Sequence, residues 1–193
     1  MKKEEIEREI ERLEQYQKHG ETYTNEKGSY GWRNPIRKDT GRILQSLMLA
    51  ANPERILEIG TAHGLSALYL ISGVNDNCVL DTIEFEESVA NQTGSLMEEL
   101  EVNVNVICGE AMEVINGLSN PYNAVFFDAQ KSHYGQQLEL ILSKGLLLKG
   151  GLIIADNVLD RYEECKDFYQ KLDEYKIEYT VIATECGLLV AKY

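Results

Sequence analysis

Arg55-Ile56-Leu57-Glu58-Ile59-Gly60-Thr61-Ala62-His63-Gly64 sets the plan of this chain. An apolar run of strand type reaches Ile59, breaks on a glycine-bearing turn, and gives way to a helical pattern over residues 65–72. Working outward, strand-like runs recur at 79–85, 104–108, 124–128, 152–156, 179–184 and 188–192. Helical stretches near 87–100, 111–117, 134–145 and 160–175 separate them. Strand–helix alternation with near-continuous apolar strands predicts an α/β fold, a mostly parallel seven-stranded sheet with helices on both faces. Only Glu185-Cys186-Gly187 separates the last two runs. A link that short cannot make a parallel crossover, so these strands are expected as an antiparallel hairpin.

Before Arg55 the pattern is helical. Ile6, Ile10, Leu13 and Tyr16 recur at helical spacing over 3–18, with Gly20 as a candidate cap. Residues 21–38 read as a loop. Asp39-Thr40 can cap a second helix with Ile43, Leu44, Leu47 and Met48 on its apolar face, ended by Asn52-Pro53. The whole chain of 193 residues is expected as a single domain.

Composition narrows the function classes. Hydrophobic residues make up 44% and charged residues 26%, as in ordinary soluble proteins. A formal net charge of -13 disfavours a broad grip on nucleic acid or on an anionic membrane, although Arg33, Arg37, Lys38 and Arg42 cluster locally. Cys78, Cys108, Cys165 and Cys186 contain no CxxC pair and read as reduced thiols, more often buried than not. The amino terminus has no apolar signal core, and no apolar run approaches the ~20 residues of a membrane span. A cytoplasmic protein is expected.

The glycine turn and the next strand point to a nucleoside-containing ligand. Gly60 and Gly64 let backbone approach a ligand, and the helix that follows presents free N–H groups. Glu84, at the end of the next strand with Phe85 beside it, stands where an acid can grip both hydroxyls of a ribose. Ala62 replaces the second glycine of a dinucleotide turn, and no Gly-Lys-Ser/Thr follows. Glu58 would repel a pyrophosphate but suits a cationic ligand, so S-adenosylmethionine fits better than NAD.

Two further strand ends stop on hard oxygen donors: Phe126-Phe127-Asp128-Ala129-Gln130-Lys131 and Leu152-Ile153-Ile154-Ala155-Asp156-Asn157. A buried strand has no use for an unpaired carboxylate at its tip. If the two strands are neighbours, Asp128, Asp156 and Asn157 can meet around one divalent cation, with Lys131 beside it. Taken singly, Lys131 reads as a solvated lysine, Asp128 as a helix cap and Asp156-Asn157 as a turn. Together they read as a metal site. His63 and His133 are read as pocket-wall or surface residues.

Glu58-Ile59-Gly60-Thr61, Gly64-Leu65-Ser66-Ala67, Glu84, Gly109-Glu110-Ala111, the stretch Phe127–Tyr134 and the stretch Gly151–Leu159 resemble the metal-dependent O-methyltransferases of the catechol and caffeoyl-CoA group. The resemblance is strongest over residues 36–160 and implies the Rossmann-like class I methyltransferase fold. It implies that Glu84 binds ribose, that Ser66 and the Gly60–Gly64 backbone hold the methionine carboxylate, and that Ala111, with Glu110 and Met112 beside it, lies by the adenine; Gly109 also borders the cofactor. Ile36 would contact the methionine end. Asp128, which also borders the cofactor, would join Asp156 and Asn157 in ligating Mg2+, or alternatively Mn2+ or Ca2+. The implied reaction transfers a methyl group to a small catechol-like acceptor, with Lys131 accepting the hydroxyl proton.

Two departures from the family pattern fall on its acceptor side. The loop after Asn157 is short, with Asp160-Arg161-Tyr162-Glu163-Glu164 read as entering helix almost at once, and Trp32-Arg33-Asn34-Pro35-Ile36 replaces the usual segment before Gly41. Tyr23, Tyr30 and Trp32 are candidates for a replacement wall. The alternatives are a tRNA hydroxyuridine acceptor, and a non-catalytic cofactor-binding homologue. Relatives commonly form homodimers, and the face of Ile6, Ile10 and Leu13 is one candidate contact.

Overall fold

The strands expected from the sequence assemble into one sheet in the computed structural model, which describes residues 2–17, 24–25, 28–29 and 35–193. The strands are β1 (Arg55–Ile59), β2 (Val79–Glu84), β3 (Val104–Cys108), β4 (Tyr122–Phe127), β5 (Leu147–Ala155), β6 (Tyr179–Ile182) and β7 (Leu188–Lys192). Their order is β3-β2-β1-β4-β5-β7-β6. The first five pair in parallel, and β7 runs antiparallel to both β5 and β6, so the expected hairpin forms the edge. A two-residue ribbon, Thr24–Asn25 with Gly28–Ser29, stands outside the sheet. The readings of Tyr16, Gly20, Tyr23, Tyr30, Trp32 and Arg33 fall outside the described residues or side chains.

Strand periodicity builds two cores. Leu57, Phe127 and Ile153 bury one face against α6 (Tyr134–Ser143) and α7 (Lys166–Glu174). Ile56, Phe126 and Ile154 bury the other against α1 (Lys2–Gln17), α2 (Lys38–Ala51) and α3 (Leu65–Ser72). Two further crossovers, α4 (Glu87–Glu99) and α5 (Ala111–Gly117), complete the layers. Each fully buried Ile, Leu or Phe of these central strands contributes about 1.5–3 kcal/mol. No described helix is long and apolar enough to cross a membrane.

Three local expectations are corrected. The 158–165 stretch is a chain of turns, and α7 begins only at Lys166. The N–H groups of Leu159 and Asp160 bond to the Cys186 carbonyl in the β6–β7 turn, which removes them from any helical ladder. The second helix starts at Lys38, with Arg37 as its cap residue; Asp39 lies inside the first turn and accepts from the Thr40 N–H at 2.9 Å. β5 begins at Leu147, five residues earlier than expected, because Leu147 pairs with Tyr122 before a register shift carries Leu152 to Ala124. Of the cysteines, all free, Cys78 and Cys165 are buried while Cys108 is exposed.

The apolar face of α1 is covered within the chain. Ile6, Ile10 and Leu13 join the core built on α2 and α3. Glu14, buried, accepts from Lys38 Nζ at 2.7 Å and from the Tyr69 hydroxyl, and Arg42 Nη1 reaches Glu7 at 2.9 Å. The residues read as a candidate subunit contact therefore have their partners here.

Candidate active site

β1 lies between β2 and β4, and the helices that follow β1 and β4 cross to opposite faces of the sheet. That divergence opens a crevice at the carboxyl ends of the strands, the usual ligand position in open α/β sheets. A cavity of about 480 Å³ occupies it. Ile36, Gly60, Thr61, Ser66, Glu84 and Phe85 line one part; Gly109, Ala111, Asp128, Lys131 and Asn157 line the rest. Four expected residues stand off the wall. Glu58 is fully buried behind it, and Asp156 is buried at 5% exposure. Gly64 is the left-handed cap of α3. Glu110 caps α5 by accepting from the Glu113 N–H at 3.0 Å.

Backbone pairing fixes the glycine-turn half. The N–H groups of Gly60 and Thr61 both bond to the Ile83 carbonyl, at 3.0 and 3.1 Å. Gly60 has φ +103°, and a Cβ there would stand 2.7 Å from the Asp128 carbonyl oxygen. Only glycine fits this position. Glu84 is held at both oxygens: the Ala62 N–H donates to Oε2 and the Glu86 N–H to Oε1, each at 2.9 Å. Phe85, 74% exposed, lines the same cavity.

Glu58 makes a different environment. Thr82 Oγ1 donates to its Oε2 at 2.5 Å, and the Thr82 and Thr61 hydroxyls are themselves hydrogen-bonded. Its Oε1 is buried with no hydrogen-bond partner. Burial first, then the nearby negative charges of Asp128 and Glu84, push the Glu58 carboxyl up to about 8.

The other half stands on adjacent strand tips. Asp128 N–H bonds to the Ile59 carbonyl at 2.9 Å and Asp156 N–H to the Phe127 carbonyl at 3.0 Å, so sheet pairing sets the two carboxylates side by side. Lys131, opening a 3₁₀ turn, places Nζ 3.1 Å from Asp128 Oδ1. Burial pushes the Asp156 carboxyl up to about 7, with the Asp128 charge adding to it; burial raises Asp128 as well, against the pull of Lys131. Asp156 Oδ1 is buried without a hydrogen-bond partner. Asn157 holds φ +63°, a left-handed conformation that Asn tolerates.

These donors fit a hard divalent cation. They comprise two carboxylates and one carboxamide, all oxygen, with one oxygen unsatisfied and a single ammonium opposing two acids. Among the described residues, no group of three or more His, Cys, Asp or Glu forms a metal cage, so the candidate set depends on Asn157.

Tyr134 is a site-building residue that sequence reading missed. Its buried hydroxyl donates to the Phe127 carbonyl at 2.9 Å and lies 3.5 Å from the Asp156 carbonyl, bracing β4 against β5 just beneath the two acids. Its ring lies 5.6 Å below Lys131 Nζ. Arg161 and Glu164, ion-paired at 3.2 Å, also line the cavity, a role hidden while that stretch read as helix. His63 is on the wall, as one of its two readings had it.

Comparison with known proteins extends this geometry. A family model described as O-methyltransferase matches residues 8–174. Catechol O-methyltransferase of Bos taurus is 29% identical over 146 residues, 72% of this chain and 53% of that protein. Catechol O-methyltransferase of Mycobacterium tuberculosis is 28% identical over 130 residues, 66% of this chain and 58% of that protein. The matched stretch thus spans little more than half the length of these curated relatives. Among solved structures, the O-methyltransferase from Bacillus cereus in complex with SAH superposes with a TM-score of 0.79 at 24% identity, covering 95% of this chain and 89% of that one. TomG from Streptomyces achromogenes, in complex with SAM, gives 0.76 at 22% identity, covering 93% and 95%. At these identities the two structures speak for the fold alone, the class I methyltransferase architecture. The family match runs from α1 into α7 and takes in every strand tip of the crevice, and on that extent the chain belongs to the O-methyltransferase family.

Proposed function

We propose that this chain is an S-adenosylmethionine-dependent O-methyltransferase acting on a small acceptor with vicinal hydroxyls, with Lys131 as general base and a divalent cation held by Asp128, Asp156 and Asn157. The observation that carries this reading is the meeting of the β4 and β5 tips in the same crevice as the glycine turn and Glu84. When bound, the donor supplies an electrophilic methyl on sulfur and the cation supplies Lewis acidity at the acceptor hydroxyls.

The chain's own residues do the rest. Glu84, oriented by two backbone N–H groups, is set to accept from a pair of ribose hydroxyls. Ser66 and the first turn of α3 offer donors to the methionine carboxylate. Lys131 Nζ, anchored by Asp128, acts in its neutral amine form: it takes the acceptor's hydroxyl proton and becomes the ammonium as the new O–C bond forms and the S–C bond breaks. Holding both partners in one rigid crevice removes much of the orientational entropy cost of the transfer.

Turnover with S-adenosylmethionine and a panel of catechols and single-hydroxyl analogues tests the reading. Methylation of the dihydroxy compounds, lost with EDTA and restored by Mg2+, is expected. Activity indifferent to chelation would sink the cation assignment, and failure with every dihydroxy acceptor would sink the acceptor class.

A further inference from the structure

The cavity has one wall that the sheet does not supply. Each of its lining residues ends or follows one of the strands β1 to β5, except Pro35 and Ile36, which come in on the approach to α2. Ile36 packs into the core built on α2 and α3. The next residue, Arg37, reaches across the molecule to the β6–β7 turn. Its Nη1 and Nη2 meet the two carboxylate oxygens of Glu185, each at 2.6 Å, and the Cys186 side chain is a further hydrogen-bond partner. A fork-to-fork pair of this kind fixes direction as well as distance.

The β6–β7 turn has a second hold, on the stretch beyond β5. The Cys186 carbonyl accepts from the N–H groups of Leu159 and Asp160, at 3.0 and 3.3 Å, and the Gly187 carbonyl accepts from the Val158 N–H at 3.2 Å. Gly187 has φ +81°, and a Cβ on it would run into Leu159. This stretch leads from Asn157 to Arg161, both on the cavity wall. Among the described residues, none of the β6–β7 turn lines the cavity, yet the turn joins the wall before α2 to the wall beyond β5.

The two holds differ in kind. The hold beyond β5 consists of backbone bonds and close packing, which stay made while the chain is folded. The hold on Arg37 is a side-chain pair whose partners are 50% and 64% exposed, so salt screens it and water can replace it.

We infer that Arg37 and Glu185 are positioning residues: as a clasp they hold the wall of Pro35 and Ile36 in place over a bound donor or product, and the clasp parts when that ligand exchanges. The wall beyond β5 stays fixed throughout, so exchange is controlled from the α2 side alone. The inference rests on the donor assignment above. It also gives the carboxyl-terminal hairpin a part in ligand retention, although the hairpin touches no ligand.

Surface plasmon resonance on the full chain, with S-adenosylmethionine and S-adenosylhomocysteine as analytes, reads the clasp as a dissociation rate. In the wild type both rates should rise between 0.05 and 0.5 M salt, as expected on the order of the change in screening over that range. In Glu185→Gln they should be about three- to fivefold faster at the lower salt and should no longer respond to salt. Arg37→Glu should behave alike, and Arg37→Glu combined with Glu185→Arg should return both rates to within about twofold of wild type. A merely structural role moves the urea midpoint but produces neither the loss of salt response nor the rescue by exchanged charges. Unchanged dissociation in Glu185→Gln overturns the inference, and so does a double variant as fast as the single ones. A wild type that binds neither ligand defeats the donor assignment itself, and this inference with it.

Discussion

Replacing Glu58 by Gln should make the protein more stable at neutral and alkaline pH, and the gain can be worked from the position of the carboxyl. In the folded chain it is buried and pushed up to about 8, against an ordinary value of 4.5. Between those values the native state keeps a proton that the unfolded chain has lost. The stability tied to this group is therefore whole below pH 4.5 and is lost as pH rises toward 8. Each unit of difference is worth about 1.4 kcal/mol, so wild type should lose about 4 kcal/mol relative to Glu58→Gln between pH 5 and pH 8. Set against a typical total of about 5–15 kcal/mol, that is a large fraction. Urea unfolding of the metal-free proteins reads it directly: at an m-value of about 2–3 kcal/mol/M the two midpoints should separate by roughly 1.5–2 M over that range. Curves that stay parallel from pH 5 to pH 8 would refute the reasoning, since they would mean that Glu58 ionises inside the fold at no cost.

Two further substitutions test the other half of the crevice. Lys131→Met keeps most of the length of the side chain and removes the base, so kcat should fall about 10²–10⁴-fold while donor affinity by calorimetry changes little; retained turnover would remove Lys131 from proton transfer. Tyr134→Phe removes the 2.9 Å donor to the Phe127 carbonyl, which keeps the Asp156 N–H, so the cost in urea unfolding should be about 0.5–1.5 kcal/mol, and kcat should fall as the β4 and β5 tips lose their brace.

What the sequence showed plainly was whatever rests on short-range pattern. Apolar runs at Arg55–Ile59, Val104–Cys108 and Leu188–Lys192 match the observed strands to the residue; for the first and last this is because buried strands admit little else. Gly60, Glu84, Asp128, Lys131 and Asn157 were legible because each breaks an apolar run at a strand end or sits one turn beyond it. Partnerships across the chain were not legible. Nothing local marks Tyr134 as the brace between two strand tips, since a tyrosine at a helix start most often simply packs. Residues 160–165 read as the start of a helix over 160–175 but form turns, because the competing acceptor, the Cys186 carbonyl, lies more than twenty residues further on. The same limit hid the covering of Ile6, Ile10 and Leu13, whose spacing shows an apolar face but not what lies against it.

The two halves of the crevice are not independently placed. Asp128 presents its side chain to Lys131 and, through charge, to Asp156, while its backbone serves the glycine-turn side. Its N–H closes the ladder onto Ile59, and its carbonyl oxygen occupies the space that any Cβ on Gly60 would need. In the proposed function, the turn assigned to the donor is thus pressed directly on the residue that anchors the proposed base, Lys131. A shift of one relative to the other would have to break a buried backbone hydrogen bond or open a gap beside a glycine that exists to close it. In-line methyl transfer needs donor and acceptor in reach within a few tenths of an ångström. Here that registration is fixed by a single strand tip, before any ligand arrives.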